Sequence, residues 1–283
     1  MAKIKIITDS ASDILLSEAK EWDIEVLPFT VVIDGTEYRS GIDITPSEFI
    51  AKLKKCKELP TTAQVTPDAF MQVFKKYTDE GYEVLYISLS SNASGTYNNA
   101  MIAKQTIEDE NPNAVVEVID TGKFAYIYAR ASIIAAQMAK EGKEMGEIKQ
   151  AVLDFMAQYE VYVAAQSLKY LEKGGRINKA SLVMGNVLDI RPMLSIRNGL
   201  IESIGTLRGS KKIVNKLFKK IVEAAPPQDG KELIIVHCDM EEEAKEMENL
   251  LLSEYPGAST LIREVGPTIA THIGPVIAVF FVL

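Results

Sequence analysis

Apolar runs of strand length alternate with longer stretches of helical periodicity along almost the whole chain. Such alternation is typical of α/β proteins, in which helices cover the faces of a mostly parallel sheet. In the first half the pattern predicts strands over Lys3–Thr8, Glu25–Ile33, Glu83–Leu89 and Val115–Ile119. It predicts helices over Ser12–Glu21, Pro46–Lys55, Pro67–Glu80, Tyr97–Glu110, Gly122–Lys140 and Met145–Tyr159.

The second half continues the alternation but carries more strands for each helix. Strands are predicted over Val161–Ala165, Arg191–Arg197, Leu200–Leu207, Glu232–Cys238, Ser259–Val265 and Pro275–Leu283. Helices are predicted over Ile177–Leu188, Ser210–Ala224 and Met240–Tyr255. We expect a boundary near residue 160, with an N-terminal lobe over 1–160 and a C-terminal lobe over 161–283. A cleft between two such lobes is a common ligand site.

Charge and composition narrow the possible partners. The 283 residues are 47% hydrophobic and 25% charged, as in ordinary globular proteins, and the formal net charge is −8. Nucleic acids and anionic membranes select basic surfaces, so neither is an expected partner. The N-terminus lacks a signal-peptide pattern, and the apolar tail Pro275–Leu283 is too short to cross a membrane. We therefore expect a cytoplasmic protein without stable membrane insertion.

Metal and redox sites are not expected. Cys56 and Cys238 are far apart and fit no Cys-x-x-Cys or zinc spacing, so they are interpreted as reduced thiols. His, Asp and Glu residues show no metal-ligand spacing. Neither a GxGxxG fingerprint nor a GxxxxGK[ST] phosphate loop is present, so no cofactor is expected.

The hydroxyl-rich turn Ser90-Ser91-Asn92-Ala93-Ser94-Gly95-Thr96 joins a predicted strand to a predicted helix. Helix starts carry unpaired N–H donors and partial positive charge, which favour a carboxylate or phosphate. Ser94 is the most informative position of this turn. The alternative is that the hydroxyl groups only cap the helix.

Four other segments are candidates for ligand contact. The loop Pro60-Thr61-Thr62-Ala63-Gln64 supplies two adjacent hydroxyls, which could instead only satisfy the loop backbone. His272 lies between two Gly-Pro pairs, and its ring can donate or accept a hydrogen bond. The turn Lys173-Gly174-Gly175-Arg176 could hold a phosphate through its glycine amides. The alternative is a surface turn with two solvated charges. Asp9 and Ser10 lie outside the carboxyl end of the first strand, where α/β folds place ligand contacts, while helix capping by Ser12 or Asp13 accounts for the rest of this segment.

Taken together, six segments resemble the pattern of the DegV family, bacterial fatty-acid-binding proteins, in the family's order and over about residues 3–282. They are Thr8-Asp9-Ser10, Pro60-Thr61-Thr62-Ala63-Gln64, Ser91-Asn92-Ala93-Ser94-Gly95-Thr96-Tyr97, Leu171-Glu172-Lys173-Gly174-Gly175-Arg176-Ile177, Ile190-Arg191-Pro192-Met193-Leu194 and Gly266-Pro267-Thr268-Ile269-Ala270-Thr271-His272. The resemblance implies a Rossmann-like N-terminal lobe with a parallel sheet and a C-terminal lobe with a mixed sheet. It also implies a fatty acid such as palmitate in a buried tunnel between the lobes.

The resemblance further implies a lipid-binding carrier subunit of a two-component fatty acid kinase rather than an enzyme. Thr62 and Ser94 would bind the carboxylate with His272 beside them. Thr61 and Gly95 would also belong to this ligand-binding site. This carboxylate would be presented to a separate ATP-binding kinase subunit for acyl-phosphate formation. Arg176, Gly174 and Gly175 would form part of the docking face for that subunit. No role is assigned to Arg208, and no chain length or oligomeric state is predicted.

Two departures from the family pattern affect the expected site. Ala63 stands where the family usually has Ser, and Val276 stands where a glycine often follows the proline. Met184, Val187, Leu188 and Ile190 are candidates for the acyl pocket, or simply core residues.

Two other functions remain open. In a serine-dependent acyl-ester hydrolase, Ser94 would be the nucleophile and His272 the base, although Gly-x-Ser-x-Gly is absent. A nucleotide- or sugar-phosphate-binding module would suit the α/β pattern but lacks a phosphate loop.

Overall fold

The computed structural model describes residues 3–177, 190–208 and 212–283, with no side-chain description for Ile190. In the first half the elements are β1 (Lys3–Asp9), α1 (Leu16–Glu21), β2 (Glu25–Leu27), β3 (Thr30–Ile33), β4 (Thr36–Arg39), α2 (Pro46–Leu53), β5 (Thr61–Ala63), α3 (Pro67–Asp79), β6 (Tyr82–Ser88), α4 (Thr96–Glu110), β7 (Val116–Asp120), α5 (Tyr126–Lys140) and α6 (Met145–Gln158).

In the second half they are β8 (Tyr159–Ala165), α7 (Lys169–Gly174), β9 (Ile190–Arg197), β10 (Leu200–Arg208), α8 (Ile213–Ala224), β11 (Glu232–Cys238), α9 (Glu241–Glu254), β12 (Ser259–Glu264), α10 (Pro267–Ile273) and β13 (Val276–Val282). Within the described ranges, no helix is both long and apolar enough to cross a membrane.

A parallel sheet organises the first half, with strand order β2-β1-β6-β7. Its central strands are apolar over consecutive residues because helices cover both faces; Ile7, Leu85 and Ile87 are fully buried. The carboxyl ends of these strands lie along one edge of the sheet, where α/β proteins place ligand contacts. The parallel sheet predicted for the N-terminal part is confirmed.

A larger mixed sheet organises the second half, with strand order β10-β9-β8-β13-β11-β12. β11 and β12 run parallel, whereas β13 runs antiparallel to both β8 and β11. Leu217 and Met247, from α8 and α9, pack with Phe281 on one face of the sheet. Val236 and Ala278, on the other face, belong to the core shared with the first half. The mixed sheet predicted for the C-terminal part is confirmed.

A third, small sheet with order β4-β3-β5 differs from the sequence prediction. The predicted strand Glu25–Ile33 is interrupted after Leu27, at Pro28, which lacks the N–H group that a continuous ladder requires. The predicted loop around Thr61 and Thr62 forms β5 instead, where Val31 pairs with Thr62.

Several helix ends also differ from the pattern. α5 begins at Tyr126 rather than Gly122, because Gly122 and Ala125 adopt positive φ angles of 59° and 60°. The predicted turn at Lys173–Arg176 is the end of α7, closed by Gly175 in the left-handed conformation. The segment before β13 is the short helix α10, with Pro267 in its first turn. The helix predicted over Ile177–Leu188 lies, after Ile177, outside the described residues, as does the predicted start at Ser210.

Asp9, at the end of β1, is a buried carboxylate held by hydroxyl groups. Tyr86 Oη donates to Oδ2 at 2.6 Å, and Tyr128 Oη donates to Oδ1 at 2.7 Å. The Ala11 amide donates to Oδ1 at 2.9 Å, so Asp9 caps the turn that follows. Burial raises the pKa of Asp9 to about 6, although these hydrogen bonds oppose the shift. Asp9 is thus a structural residue of the core.

The raised pKa of Asp9 predicts how stability depends on pH. The folded protein holds this proton more tightly than the unfolded chain, so stability falls as pH rises from the ordinary 3.8 to about 6. We expect Asp9→Asn to remove this loss, which is about 3 kcal/mol by linkage. Urea unfolding of both proteins across this pH range measures the difference.

Asp43 provides a control of opposite sign, because hydrogen bonds from Arg39 lower its pKa to about 2. The stabilisation from Asp43 is lost as pH falls from the ordinary 3.8 to about 2. Asp43→Asn should therefore flatten the slope in that lower range, measured by extending the urea series to about pH 2. Identical pH slopes for the wild-type protein and Asp9→Asn would contradict the assignment of Asp9.

Candidate functional site

A cavity of about 840 Å³, part of it open to solvent, lies between the mixed sheet and the edge of the parallel sheet. Leu89 and Phe124, from the loops that follow β6 and β7, line one side. Val163 and Ala278, from β8 and β13, line the other. Most described residues around it are apolar, as is typical of small-molecule sites. Such a volume and wall suit a ligand with a large apolar part.

Polar side chains also line the cavity, and three of them were singled out from the sequence. The polar lining residues of the described chain are Thr62, Ser94, Arg176, Ser195, Thr268 and His272. The structure therefore brings Thr62, Ser94 and His272 to one cavity, although they come from β5, the loop before α4 and α10.

A hydrogen bond of 2.8 Å joins Thr62 Oγ1 to His272 Nε2 across 210 residues of sequence. Successive side chains of a strand point to opposite faces. Because Thr62 faces the cavity, Thr61 and Ala63 face away from it. Both neighbours are exposed and absent from the cavity wall. The serine expected at position 63 would therefore lie on the face away from the cavity.

His272 is neutral in this setting. Burial, followed by the positive charge of Arg176, lowers the pKa of its imidazole to about 4. Its Nδ1 atom is buried without a hydrogen-bond partner among the described residues. A methyl group on Gly174 would lie 2.6 Å from that atom, so only glycine lets α7 approach the ring this closely. Gly174 thus acts on the site through His272.

Thr268 was missed by the sequence analysis. It lies one helical turn before His272 in α10, lines the same cavity, and is 3% exposed. Its Oγ1 atom is buried without a hydrogen-bond partner among the described residues. The i, i+4 spacing to His272 would have revealed it if this segment had been recognised as a helix.

Ser94 precedes α4, whose N-cap is Gly95. Its Oγ atom lies 2.9 Å from Thr96 Oγ1 and accepts a hydrogen bond of 3.3 Å from the Thr96 amide. Ser94 therefore closes the turn and faces the cavity at the same time. Gly95 is not in the wall, but a methyl group there would lie 2.5 Å from Gln64 Oε1. The Gln64 side chain, next to the end of β5, therefore packs directly against the Gly95 backbone.

The turn between β9 and β10 also supports the loop that carries Ser94. Asn198 and Gly199 both have positive φ angles, 50° and 70°, as in the two-residue turns that suit twisted hairpins. Ser90 Oγ donates to the Gly199 carbonyl at 2.7 Å, and Asn92 Nδ2 donates to the Asn198 carbonyl at 2.8 Å. The mixed sheet thereby fixes the loop that carries Ser94.

Arg176 has a larger part in the cavity than its predicted docking role implies. Its Nε atom donates to the Ala93 carbonyl at 3.1 Å, and Nη1 donates to the Gly174 carbonyl. It also lines the cavity wall. Gly175, by contrast, is exposed. Arg176 thus supports the Ser94 loop and places a positive charge near the polar side chains.

A second pocket of about 620 Å³ adjoins the cavity on its outer side. Thr62, Arg176 and His272 line both spaces, and Thr61 and Lys173 line only the outer one. The hydrogen-bonded Thr62–His272 pair therefore separates an apolar interior from a polar pocket at the surface. A group held by this pair would be reachable from outside.

The remaining sequence candidates are placed as follows. Met184, Val187 and Leu188 lie outside the described residues, as does the side chain of Ile190. Val276, where the family often has glycine, lines the cavity. Arg208 is exposed at the end of β10. No group of side chains in the described ranges could hold a metal ion.

The hydrogen bonds do not favour a hydrolase. Nucleophilic catalysis by serine requires its hydroxyl within hydrogen-bond reach of the base. Here Ser94 is bonded to Thr96, and the Nε2 atom of His272 is bonded to Thr62.

Comparison with known proteins gives a match over the whole length. The model of the DegV family, described as uncharacterised proteins, matches residues 3–283. A DegV domain-containing protein of Clostridium perfringens is 33% identical over 285 residues, covering 99% of this chain and 98% of that protein.

Solved structures of three bacterial proteins share the fold. A Thermus thermophilus DegV family protein described by its fatty acid binding has a TM-score of 0.88 at 26% identity, covering 99% of this chain and 100% of that one. A DegV lipid-binding protein of Thermotoga maritima has a TM-score of 0.84 at 30% identity, covering 99% of each chain. A DegV family protein of Eubacterium eligens loaded with heptadecanoic acid has a TM-score of 0.82 at 26% identity, covering 99% of each chain. With the family model matching from the first described strand to the last residue, the chain belongs to the DegV family.

Proposed function

We propose that this protein binds a long-chain fatty acid, with the acyl chain in the cavity and the carboxylate at Thr62, Ser94 and His272. The observation that carries the proposal is the apolar cavity with the Thr62–His272 hydrogen bond at its border with the polar pocket. Two of the similar solved structures are described as binding fatty acids, which supports the same ligand class here.

The mostly apolar wall of the cavity suits the binding free energy expected for a long acyl chain. Burying each methylene contributes about 0.8 kcal/mol, so an acyl chain of about sixteen carbons gains on the order of 10 kcal/mol before ordering costs. An unpaired buried carboxylate would cancel several kcal/mol of this gain. Hydroxyl donors and a nearby guanidinium, supplied by Thr62, Ser94 and Arg176, offset that cost.

We propose a direction for the Thr62–His272 hydrogen bond, with the single proton of the neutral ring placed on Nε2. A neutral imidazole carries one N–H group. If Nε2 carries it and donates to Thr62 Oγ1, the Thr62 hydroxyl is free to donate to the carboxylate. His272 then positions Thr62 for the ligand without contributing a charge of its own.

We further propose that the protein is a carrier that presents the carboxylate to a separate ATP-binding kinase subunit. A carboxylate oxygen would take the terminal phosphoryl group of ATP, giving an acyl phosphate and ADP. The outer pocket supports this role, because it adjoins the Thr62–His272 pair and carries Lys173 at the surface. We also propose that the protein acts in the cytoplasm, where ATP is available, and that its two lobes divide near residue 160.

Removal of one hydroxyl donor should weaken fatty acid binding. We expect Ser94→Ala and Thr62→Val each to reduce affinity about ten- to a hundredfold, because a charged partner loses a hydrogen bond worth about 1.5–3 kcal/mol. Displacement of a fluorescent fatty acid measures the affinity. Mass spectrometry of a solvent extract of the purified protein identifies the ligand.

Ser91→Ala and Thr36→Val are matched controls, because both residues lie outside the cavity wall. Their affinities should equal that of the wild-type protein, and thermal melts should show all variants folded. Unchanged affinity in Ser94→Ala and Thr62→Val would rule out the proposed head-group site.

The ligand-free protein should keep His272 neutral throughout the physiological pH range. With a pKa of about 4, its ring resonances should not titrate near the ordinary value of 6.5. NMR of the imidazole protons measures this, with His272→Gln assigning the signals. Arg176→Gln should raise the pKa, since a nearby positive charge is removed. Titration of His272 near 6.5 in the wild-type protein would disprove the neutral assignment.

Lys173→Ala should slow acyl-phosphate formation several-fold without changing fatty acid affinity, since Lys173 lines only the outer pocket. Phosphate transfer from labelled ATP by the partner kinase measures the rate. Lys169→Ala is the control, because Lys169 is exposed on the same helix but outside that pocket. Equal rates for Lys173→Ala and Lys169→Ala would remove Lys173 from the docking surface.

A further inference from the structure

A row of cavity-lining side chains follows β13 away from His272. This strand begins three residues after His272, and Val276, Ala278 and Phe280 all line the cavity. Alternate residues of a strand share one face, and four residues span about 13 Å. Val276 therefore lies at the end near the imidazole, and Phe280 at the far end.

The neighbouring strand confirms this order of layers. β8 pairs antiparallel with β13, so that Ala165 faces Val276, Val163 faces Ala278, and Val161 faces Phe280. Val161 and Phe280 are almost completely buried, at 1% and 2% exposure. The cavity thus has a far layer in which a valine and a phenylalanine stand side by side.

Phe124 adds a second aromatic ring at this far end. Its neighbour Lys123 is tied to the same end of β8, because Lys123 Nζ donates at 2.9 Å to the carbonyl of Tyr159, two residues before Val161. Phe124 is itself nearly buried and lines the cavity. By contrast, the middle layer contains the small side chain of Ala278, which leaves the passage wide.

We infer that Phe280, together with Phe124 and Val161, forms the stop that sets the longest saturated acyl chain the cavity accepts. This inference rests on the proposed fatty acid binding and adds the determinant of chain length. Each methylene buried short of the stop raises affinity about fourfold. A methylene beyond it must displace a packed aromatic ring, so affinity stops rising there.

The test measures affinity for a series of saturated acids from dodecanoic to eicosanoic acid, by displacement of a fluorescent fatty acid. In the wild-type protein affinity should rise along the series and then level or fall. In Phe280→Leu this break should move to a longer acid, with about a fourfold gain for each extra methylene accommodated. Ala278→Val should move the break to a shorter acid. This variant provides the test if Phe280→Leu does not fold.

Phe281→Leu is the matched control on the same strand. Phe281 belongs to the core on the opposite face of the sheet, where its ring centroid lies 5.1 Å from that of Tyr162. Its substitution should lower stability but leave the break in place. The proposed stop is contradicted if the chain length at which affinity stops rising is unchanged in Phe280→Leu and Ala278→Val. It is also contradicted if that chain length shifts equally in Phe281→Leu. Affinity that rises through eicosanoic acid in the wild-type protein also overturns it, while leaving fatty acid binding intact. Absence of binding for every acid would overturn the proposed function itself.

Discussion

The hydrogen bond between Thr62 and His272 is the constraint on which the candidate site depends. It joins a strand of the small sheet to a helix of the second half and fixes the border between apolar cavity and outer pocket. The supporting contacts converge on the same region. Gly174 has no side chain that would displace the imidazole. Arg176, which follows α7, donates a hydrogen bond to the Ala93 carbonyl in the Ser94 loop. A charged group can enter an apolar interior only where donors are already oriented, and these contacts orient them.

Much of the fold could be predicted from the sequence because the parallel strands are buried on both faces and appear as continuous apolar runs. The helix starts predicted at Pro46 and Pro67 are confirmed, and each is capped by the preceding threonine: Thr45 and Thr66 both accept a hydrogen bond from the amide of the third helical residue. The small sheet was less accessible. Its strands contain only three or four residues, and their pairing is determined by distant chain segments that local pattern does not report.

The same limits apply to the site. Thr61 and Thr62 are indistinguishable in a loop, and only the pairing of β5 with β3 assigns one of them to the cavity. Thr268 went unnoticed because α10 has only seven residues, from Pro267 to Ile273, too few for a helical period to stand out. The convergence of Ser94, Thr62 and His272 was predicted through family resemblance. No spacing in the sequence measures distances across 210 residues.

The turn at Asn198 and Gly199 has a consequence for the order of folding. Its carbonyl groups accept hydrogen bonds from side chains 106 and 109 residues away, and the two strands that it joins contribute Ser195, Ile196 and Ile201 to the cavity wall. Neither half of the chain alone contains a complete wall. Because contacts over such separations incur a large loop-closure entropy, we expect the cavity wall to be completed late in folding, after both sheets have formed. A nascent chain that still lacks β13 lacks Val276, Ala278 and Phe280 and therefore has no complete cavity wall.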